Sequence, residues 1–371
     1  MSTIDQAAVD ALLVRAHREV DEGLLPSCQL ALEAEGEIVM SETIGDATPE
    51  TRYVAYSATK AFVAGAMWAV IGDGLIDPSS PVVELVPEFG SNDKDVVTIE
   101  QVMLHTSGFP SAPMLVTAGD TSEGRCAAFA RWRLNWKPGT RFEYHPSSAH
   151  WVLVELLERV TGQDFRDVVQ ARVTDPAGLP RVLGLEPGTY PFADLVATGE
   201  PATADELEAT FGVRELPVTE VTPEALLGFN DPAIRRVGMP GGGGVMRAED
   251  LAAFYQAVLH NPGGMWKPEV LADAVGNVRN HLPDPLTGVP ANRTLGLVQA
   301  GDDGRSHFRG MGRAVSPRAV GHNGAGGQIA WGDPTTGLSF GYVTNGLDQH
   351  AVREPRRTTA LASLAAVCTT S

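Results

Sequence analysis

The sequence predicts an α+β protein. Its antiparallel sheet is assembled from both chain ends and flanked by the N- and C-terminal helices, and a mainly helical domain is inserted between those ends. Three observations carry this expectation. Short extended runs cluster towards the two ends of the chain. The stretch between them consists of helical-period segments separated by Pro- and Gly-rich loops. Each end also carries an amphipathic helix. Strands gathered from distant segments, with the helices segregated from them, are the α+β pattern. The limits that follow are 1–90 with 290–371 for the sheet domain and 91–289 for the insertion, with an active-site cleft between them.

Each element has its own signal. Ile4, Ala8, Leu12, Leu13, Ala16 and Val20 recur at helical spacing and predict a helix over 4–22. Cys28 to Ala34 alternates, Glu35-Gly36-Glu37 supplies a turn, and Ile38 to Met40 resumes the extended run, which reads as a hairpin. Thr51 to Ala55 is a further extended piece. From Ser57 the chain is apolar on every side until Gly72-Asp73-Gly74. This predicts a buried helix, capped by Ser57 or a neighbour and stopped at the glycines. Thr98, with Glu100 close behind, opens a short helix to His105. Ser147-Ser148 starts another that runs through Val160 to Gly162, and Ala248 to Leu259 is amphipathic. Residues 176–240 read as loop-rich. Thr294 to Ala300, Gln328 to Gly332 and Leu338 to Thr344 predict strands, and Arg353 to Val367 a closing helix.

Composition narrows the function. Acidic residues outnumber basic ones, 46 to 28, giving a net charge of −18. Nucleic acid and anionic membrane surfaces are therefore excluded as partners, because both need clustered Lys and Arg. Cys28, Cys126 and Cys368 are far apart and outside any CxxC spacing, so neither a disulfide framework nor a zinc site is expected. The first twenty residues lack a basic and an apolar region, and no apolar run reaches the ~18 residues of a membrane span. A cytoplasmic protein is the expectation. The sequence leaves the oligomeric state open, a homodimer included.

The sharpest chemical signal is Ser57-Ala58-Thr59-Lys60. Ser and Lys at i and i+3 share one helix face. An unperturbed Lys, with a pKa near ~10.4, is neutral in only about one molecule in 2,500 at pH 7. The apolar run Ala61-Phe62-Val63-Ala64 would desolvate Lys60 and bring it towards the range of a useful base. The pair alone is a common pattern. It gains weight from Leu104-His105-Thr106-Ser107-Gly108, from Phe142-Glu143-Tyr144 after Pro138-Gly139, and from Gly321-His322-Asn323-Gly324-Ala325 ahead of a strand. Pro240 to Gly244 lacks the Gly-Lys-Ser/Thr of a phosphate loop and reads as a structural turn. No G-x-S-x-G elbow is present.

In this order and at these separations, the segments resemble the serine β-lactamase-like superfamily, in its branch of class C β-lactamases, DD-peptidases and family VIII carboxylesterases. The resemblance runs from about residue 8 to about residue 365. It implies a β-lactamase/transpeptidase-like fold and an acyl-enzyme on Ser57, with Lys60 as base partner and Tyr144 as second base or proton shuttle. It further implies an oxyanion hole from the backbone N–H groups of Ser57 and Ala325. Substrate contacts would come from His322, Asn323, Gly324 and Pro146, with no metal or organic cofactor. Two departures point away from lactams. Pro146 stands where that family usually has Asn, and His322, which is neutral much of the time near pH 7, stands where a Lys is common. With the cytoplasmic expectation, they favour a small-molecule acyl ester as substrate. The alternatives are a β-lactamase, a D-amino-acid amidase or peptidase, an acyltransferase, or an inactive binding protein.

Overall fold

The computed structural model describes residues 3–216 and 220–370. The elements that position the cleft are α1 (Gln6–Asp21), β1 (Ser27–Ala34), β2 (Glu37–Gly45), α2 (Thr59–Gly72), α3 (Ser148–Thr161) and α4 (Ala248–His260). They are followed by β3 (Val298–Gln299), β4 (Val320–Gly321), β5 (Ile329–Asp333), β6 (Leu338–Thr344) and α5 (Arg353–Ala365). The sheet order is β2-β1-β6-β5-β4-β3. Every neighbouring pair is antiparallel. The N-terminal hairpin thus joins the C-terminal strands through β1 and β6, with Leu30 opposite Tyr342.

Strand alternation assigns the two faces. Cys28, Leu30 and Leu32 of β1 lie with Leu338, Phe340 and Tyr342 of β6 in one core, which Leu12 and Ala16 of α1 and Leu361 and Ala365 of α5 complete. Ala31, Ala330 and Val343 point the other way, into the core that holds α2 and α3. Helix α4 covers this second face. Ser339 Oγ donates to Ala252 O at 2.8 Å, and Gln256 Nε2 donates to Glu33 O at 2.9 Å. Although it falls within 91–289, α4 therefore packs as part of the sheet layer.

Helix α2 is buried along its length apart from Ile71. That explains a sequence with no polar stripe, because both sides of the helix face core. The indole N–H groups of Trp68 and Trp266 tie it to its surroundings, donating to Leu295 O and Gly65 O at 2.7 and 2.8 Å.

Some local expectations change. Helix α2 starts at Thr59, after a separate 3₁₀ turn over Tyr56–Ala58, and neither Ser57 nor a neighbour caps it with a side chain. The helix after Thr98 spans Ile99–Met103, with Gln101 closing its capping box where Glu100 had suggested one. The extended run expected over 294–300 shortens to β3, because Thr294 N–H bonds to Leu297 O across Gly296, whose φ is 103°. Within 176–240, three short helices begin at the caps Thr203, Thr222 and Asp231. Cys28, Cys126 and Cys368 are free thiols, the second only half-buried. Among the described residues no helix is long and apolar enough to cross a membrane.

Candidate active site

The chain reaches Ser57 from the two-residue strand Tyr53–Val54, paired with Val245–Met246, and Ala55 N–H then bonds to Gly244 O at 2.8 Å. Tyr56 next adopts a φ of 45°, a region that non-glycine residues seldom enter. Its side chain holds it there: the hydroxyl donates to Leu226 O at 3.1 Å, and the ring lies edge-on to Phe229. The bend leaves Ser57 half-buried between buried neighbours, with its hydroxyl not consumed as a helix cap.

Lys60 follows on the same side and is fully buried. Its Nζ lies 3.2 Å from Ser57 Oγ, 2.7 Å from Pro146 O and 2.5 Å from Gly241 O. Burial lowers its pKa, with the nearby Tyr144 phenol opposing the shift. A neutral amine has two N–H donors and one lone pair. With the two carbonyls accepting N–H groups, the neutral form of the amine has its lone pair left for the Ser57 hydroxyl, and the charged form donates to it. Gly241 has to be small for this contact, since a Cβ there would come 2.8 Å from Pro146 O. The glycine run read as a structural turn thus also supplies a Lys60 partner.

Tyr144 places its ring 5.1 Å from Lys60 Nζ. Its hydroxyl is buried and has no hydrogen-bond partner. Imidazoles staple its backbone. His145 N–H donates to His105 Nδ1 at 3.1 Å. His145 Nδ1–H donates to Glu143 O at 2.6 Å, and its Nε2 accepts from Phe109 N–H at 3.2 Å. That pattern requires the neutral tautomer, and burial lowers the His145 pKa to about 3. The segment around His105 and the segment around Tyr144 are therefore one structural unit.

His322 sits just beyond β4. Its Nδ1–H donates to Asn323 O at 3.0 Å, which leaves Nε2 to accept from Arg293 Nη1–H at 3.2 Å. Burial, and then the Arg293 charge, hold its pKa well below the usual value, so the ring is neutral. Arg293 had no sequence signal. It is 8% exposed, lies 5.2 Å over the Tyr144 ring, and forms no ion pair among the described residues.

Ser57, Tyr144, His322, Asn323 and Ala325 line one cavity of about 470 Å³. Ser57 and Ala325 also line a second, of about 290 Å³, together with Pro146. Gly324 lines neither: it presses against the backbone before Ser57, where a Cβ would come 2.1 Å from Ala55 O. The Asn323 amide is engaged at both ends, donating to Gly310 O at 2.5 Å and accepting from Ala330 N–H at 3.2 Å. It shapes the loop. Glu220, also without a sequence signal, lines the second cavity and accepts from Ser147 N–H and Oγ–H at 3.1 and 3.0 Å.

A family profile described as Beta-lactamase matches residues 13–365. The chain belongs to the beta-lactamase family. One relative, "Esterase/beta-lactamase LipL" of Mycobacterium tuberculosis, is 29% identical over 316 residues, covering 79% of this chain and 68% of that protein. Two solved structures share the beta-lactamase fold seen here. A penicillin-binding protein homologue from Caulobacter crescentus superposes with a TM-score of 0.77 at 24% identity, over 97% of each chain. A family VIII carboxylesterase gives 0.76 at 24% identity, over 97% of this chain and 98% of the other. The expected fold class is the observed one.

Proposed function

We propose that the protein is a serine hydrolase forming an acyl-enzyme on Ser57, and that it acts as a carboxylesterase on small acyl esters. The observation that carries this reading is the Lys60 arrangement, a buried amine 3.2 Å from Ser57 Oγ whose other two contacts are carbonyls, so that its neutral form has a lone pair for that hydroxyl. As Oγ attacks the ester carbonyl carbon, the Ser57 proton passes to Lys60. The backbone N–H groups of Ser57 and Ala325, two residues that line both cavities, receive the oxyanion. The Tyr144 hydroxyl protonates the departing alkoxide and is resupplied through Lys60. Water then reverses the sequence: its proton goes to the Lys60–Tyr144 pair, its oxygen takes the acyl carbon, and Ser57 recovers its proton.

The preference for esters rests on Pro146. Its carbonyl already serves Lys60, and it has no N–H and no side-chain amide to offer the acyl-amide of a lactam or peptide. The printed name of the Mycobacterium relative, which pairs esterase with beta-lactamase, keeps lactam hydrolysis as the second reading. A chromogenic acetate or butyrate ester and a chromogenic cephalosporin, assayed side by side, separate the two. Faster ester turnover that is lost in Ser57→Ala is the expected result. Faster lactam turnover would reverse the ranking. Equal ester rates in wild type and Ser57→Ala would remove Ser57 from the chemistry.

A further inference from the structure

We infer that His105 is a positioning residue of the proposed reaction, holding the Tyr144 phenol where it can protonate the departing alkoxide. This rests on the esterase reading and adds a residue to the same site.

A proton donor has to be held within hydrogen-bond reach of the atom it serves. The Tyr144 hydroxyl makes no well-formed hydrogen bond, so nothing at its own end fixes the ring. The hold has to come from the backbone and from the ring face, and both lead to His105. Glu143 N–H donates to His105 O at 3.3 Å, and His145 N–H donates to His105 Nδ1 at 3.1 Å. The N–H groups on either side of Tyr144 thus end on one residue. The His105 ring also lies 4.9 Å from the Tyr144 ring, and His150 stacks on His105 at 6.0 Å.

The backbone around His105 is unusual for a histidine. It follows the short helix Ile99–Met103. Its N–H donates to Val102 O at 3.2 Å, and Thr106 N–H donates to Gln101 O at 2.9 Å. These are the paired bonds of a Schellman close, in which the left-handed position is usually glycine. His105 occupies it with a φ of 57°. Glycine would close the helix with less strain, but it would offer neither a ring nor an acceptor to the Tyr144 segment. The His105 side chain is 2% exposed, and Nδ1 accepts a hydrogen bond only in the neutral ring that carries its proton on Nε2. Burial, and then the Arg293 charge, hold its pKa well below the usual value, so the acceptor persists at neutral pH.

Two butyrate esters test the placement of the donor. p-Nitrophenolate departs without a proton, ethoxide needs one, and kcat/KM reports acylation for both. His105→Leu fills similar space without an acceptor. His105→Asn sets an amide oxygen near the place of Nδ1 and tolerates the left-handed backbone. His105→Leu should lose about tenfold or more kcat/KM on the ethyl ester beyond its loss on the p-nitrophenyl ester. His105→Asn should bring that ratio back to within about threefold of wild type, and His105→Leu added to Tyr144→Phe should not lower it further. Because both esters are measured on each preparation, a general loss of folding cancels. Equal losses on the two esters in His105→Leu, no recovery in His105→Asn, or a further fall on top of Tyr144→Phe would overturn the inference. A separate reading needs no turnover. With 3-fluorotyrosine at all six tyrosines, the fluorine resonance missing from Tyr144→Phe belongs to Tyr144. It should be one sharp line in wild type and His105→Asn, and broadened or split in His105→Leu. An unchanged line in His105→Leu would overturn the positioning role. If neither ester turns over while the line broadens, the esterase reading fails and the hold of His105 on Tyr144 stands.

Discussion

Tyr144 holds a buried hydroxyl with no well-formed hydrogen bond and with Lys60 as its polar neighbour, in a segment that imidazoles clamp from behind. Such a group adds little to the stability of the folded state, and the proposed mechanism gives it a proton to transfer when substrate arrives. Tyr144→Phe should therefore leave stability unchanged or raise it by about 1 kcal/mol, while ester turnover falls by about 10² to 10⁴. Thermal unfolding and kinetics on one preparation check both halves, and a large drop in stability would contradict them. Lys60 sets the pH response. In the proposed mechanism its neutral form is the base, and burial lowers its pKa. Activity should rise with pH through that lowered pKa and level off below the ~10.4 of free lysine. A kcat/KM profile still climbing at that pH would contradict the assignment. At this scale the sequence exposes Ser57, Lys60, Tyr144 and His322, because nucleophile and base need fixed spacing on one turn and their partners carry recognisable neighbours. Arg293 and Glu220 are invisible there. Arg293 sits in Ala-Asn-Arg-Thr-Leu, which has no motif, and meets His322 only through the fold.

The elements pack closely enough that single methyl groups matter. On β6, Gly341 lies beneath the start of α4, where a Cβ would come 2.1 Å from Ala248 O. Backbone cannot yield as a flexible side chain does. Gly341→Ala should cost about 1–3 kcal/mol in a denaturant titration, while a fluorophosphonate still labels Ser57 in the folded fraction. An undiminished midpoint would show that α4 can lift off the sheet without penalty. Strands and helices with a clear period are legible in the sequence, from the hairpin of β1 and β2 to α5. The start of α2 is not, because the φ of Tyr56 depends on Leu226 and Phe229, contacts far away in sequence. The short helices within 176–240 are missed for another reason. Their caps are present as Thr203, Thr222-Pro223 and Asp231-Pro232, but each helix is too brief to show a period.

Across the whole molecule, two sets of buried groups oppose each other on acidification. His105, His145, His150 and His322 are held neutral, His145 down to about 3. Unfolding lets each take a proton once the pH drops below ~6.5, so these residues lose stability as pH falls, by about 1.4 kcal/mol per group per pH unit. Glu33, pushed up to about 7 by burial, and Glu158, Glu220 and Glu354, also raised, work the other way. The native state binds their protons first, so they add stability as pH falls, down to the ~4.3 of an unfolded glutamate. Below that the histidines still bias unfolding, joined by lowered carboxyls such as Asp303, Asp348 and Glu155. With four histidines set against Glu33 and the other raised carboxyls, stability should fall as pH drops below about 6.5, more gently while those carboxyls still take up protons and more steeply from about 4.3 towards 3. Denaturant midpoints at pH 7, 5.5 and 3.5 test this, and a steeper loss above pH 4.5 than below would contradict it. The sheet of two chain ends is legible from where the extended runs lie. That α4 belongs to the sheet layer is not, because an amphipathic helix does not name the surface it covers.

The seam between those ends has a consequence for how the chain is made. Strand β1 hydrogen-bonds to β6, and Thr344 Oγ1 donates to Ser27 O across 317 positions of sequence. A ribosome translating this chain releases the hairpin of β1 and β2 long before its partner exists. Through nearly all of synthesis, the inner edge of β1 is an open template for any passing strand, and pairing over so long a loop is slow to form. The nascent protein is therefore most exposed to misassembly before its last strands emerge. A stalled or truncated translation product should be a stronger substrate for holding chaperones than the finished chain.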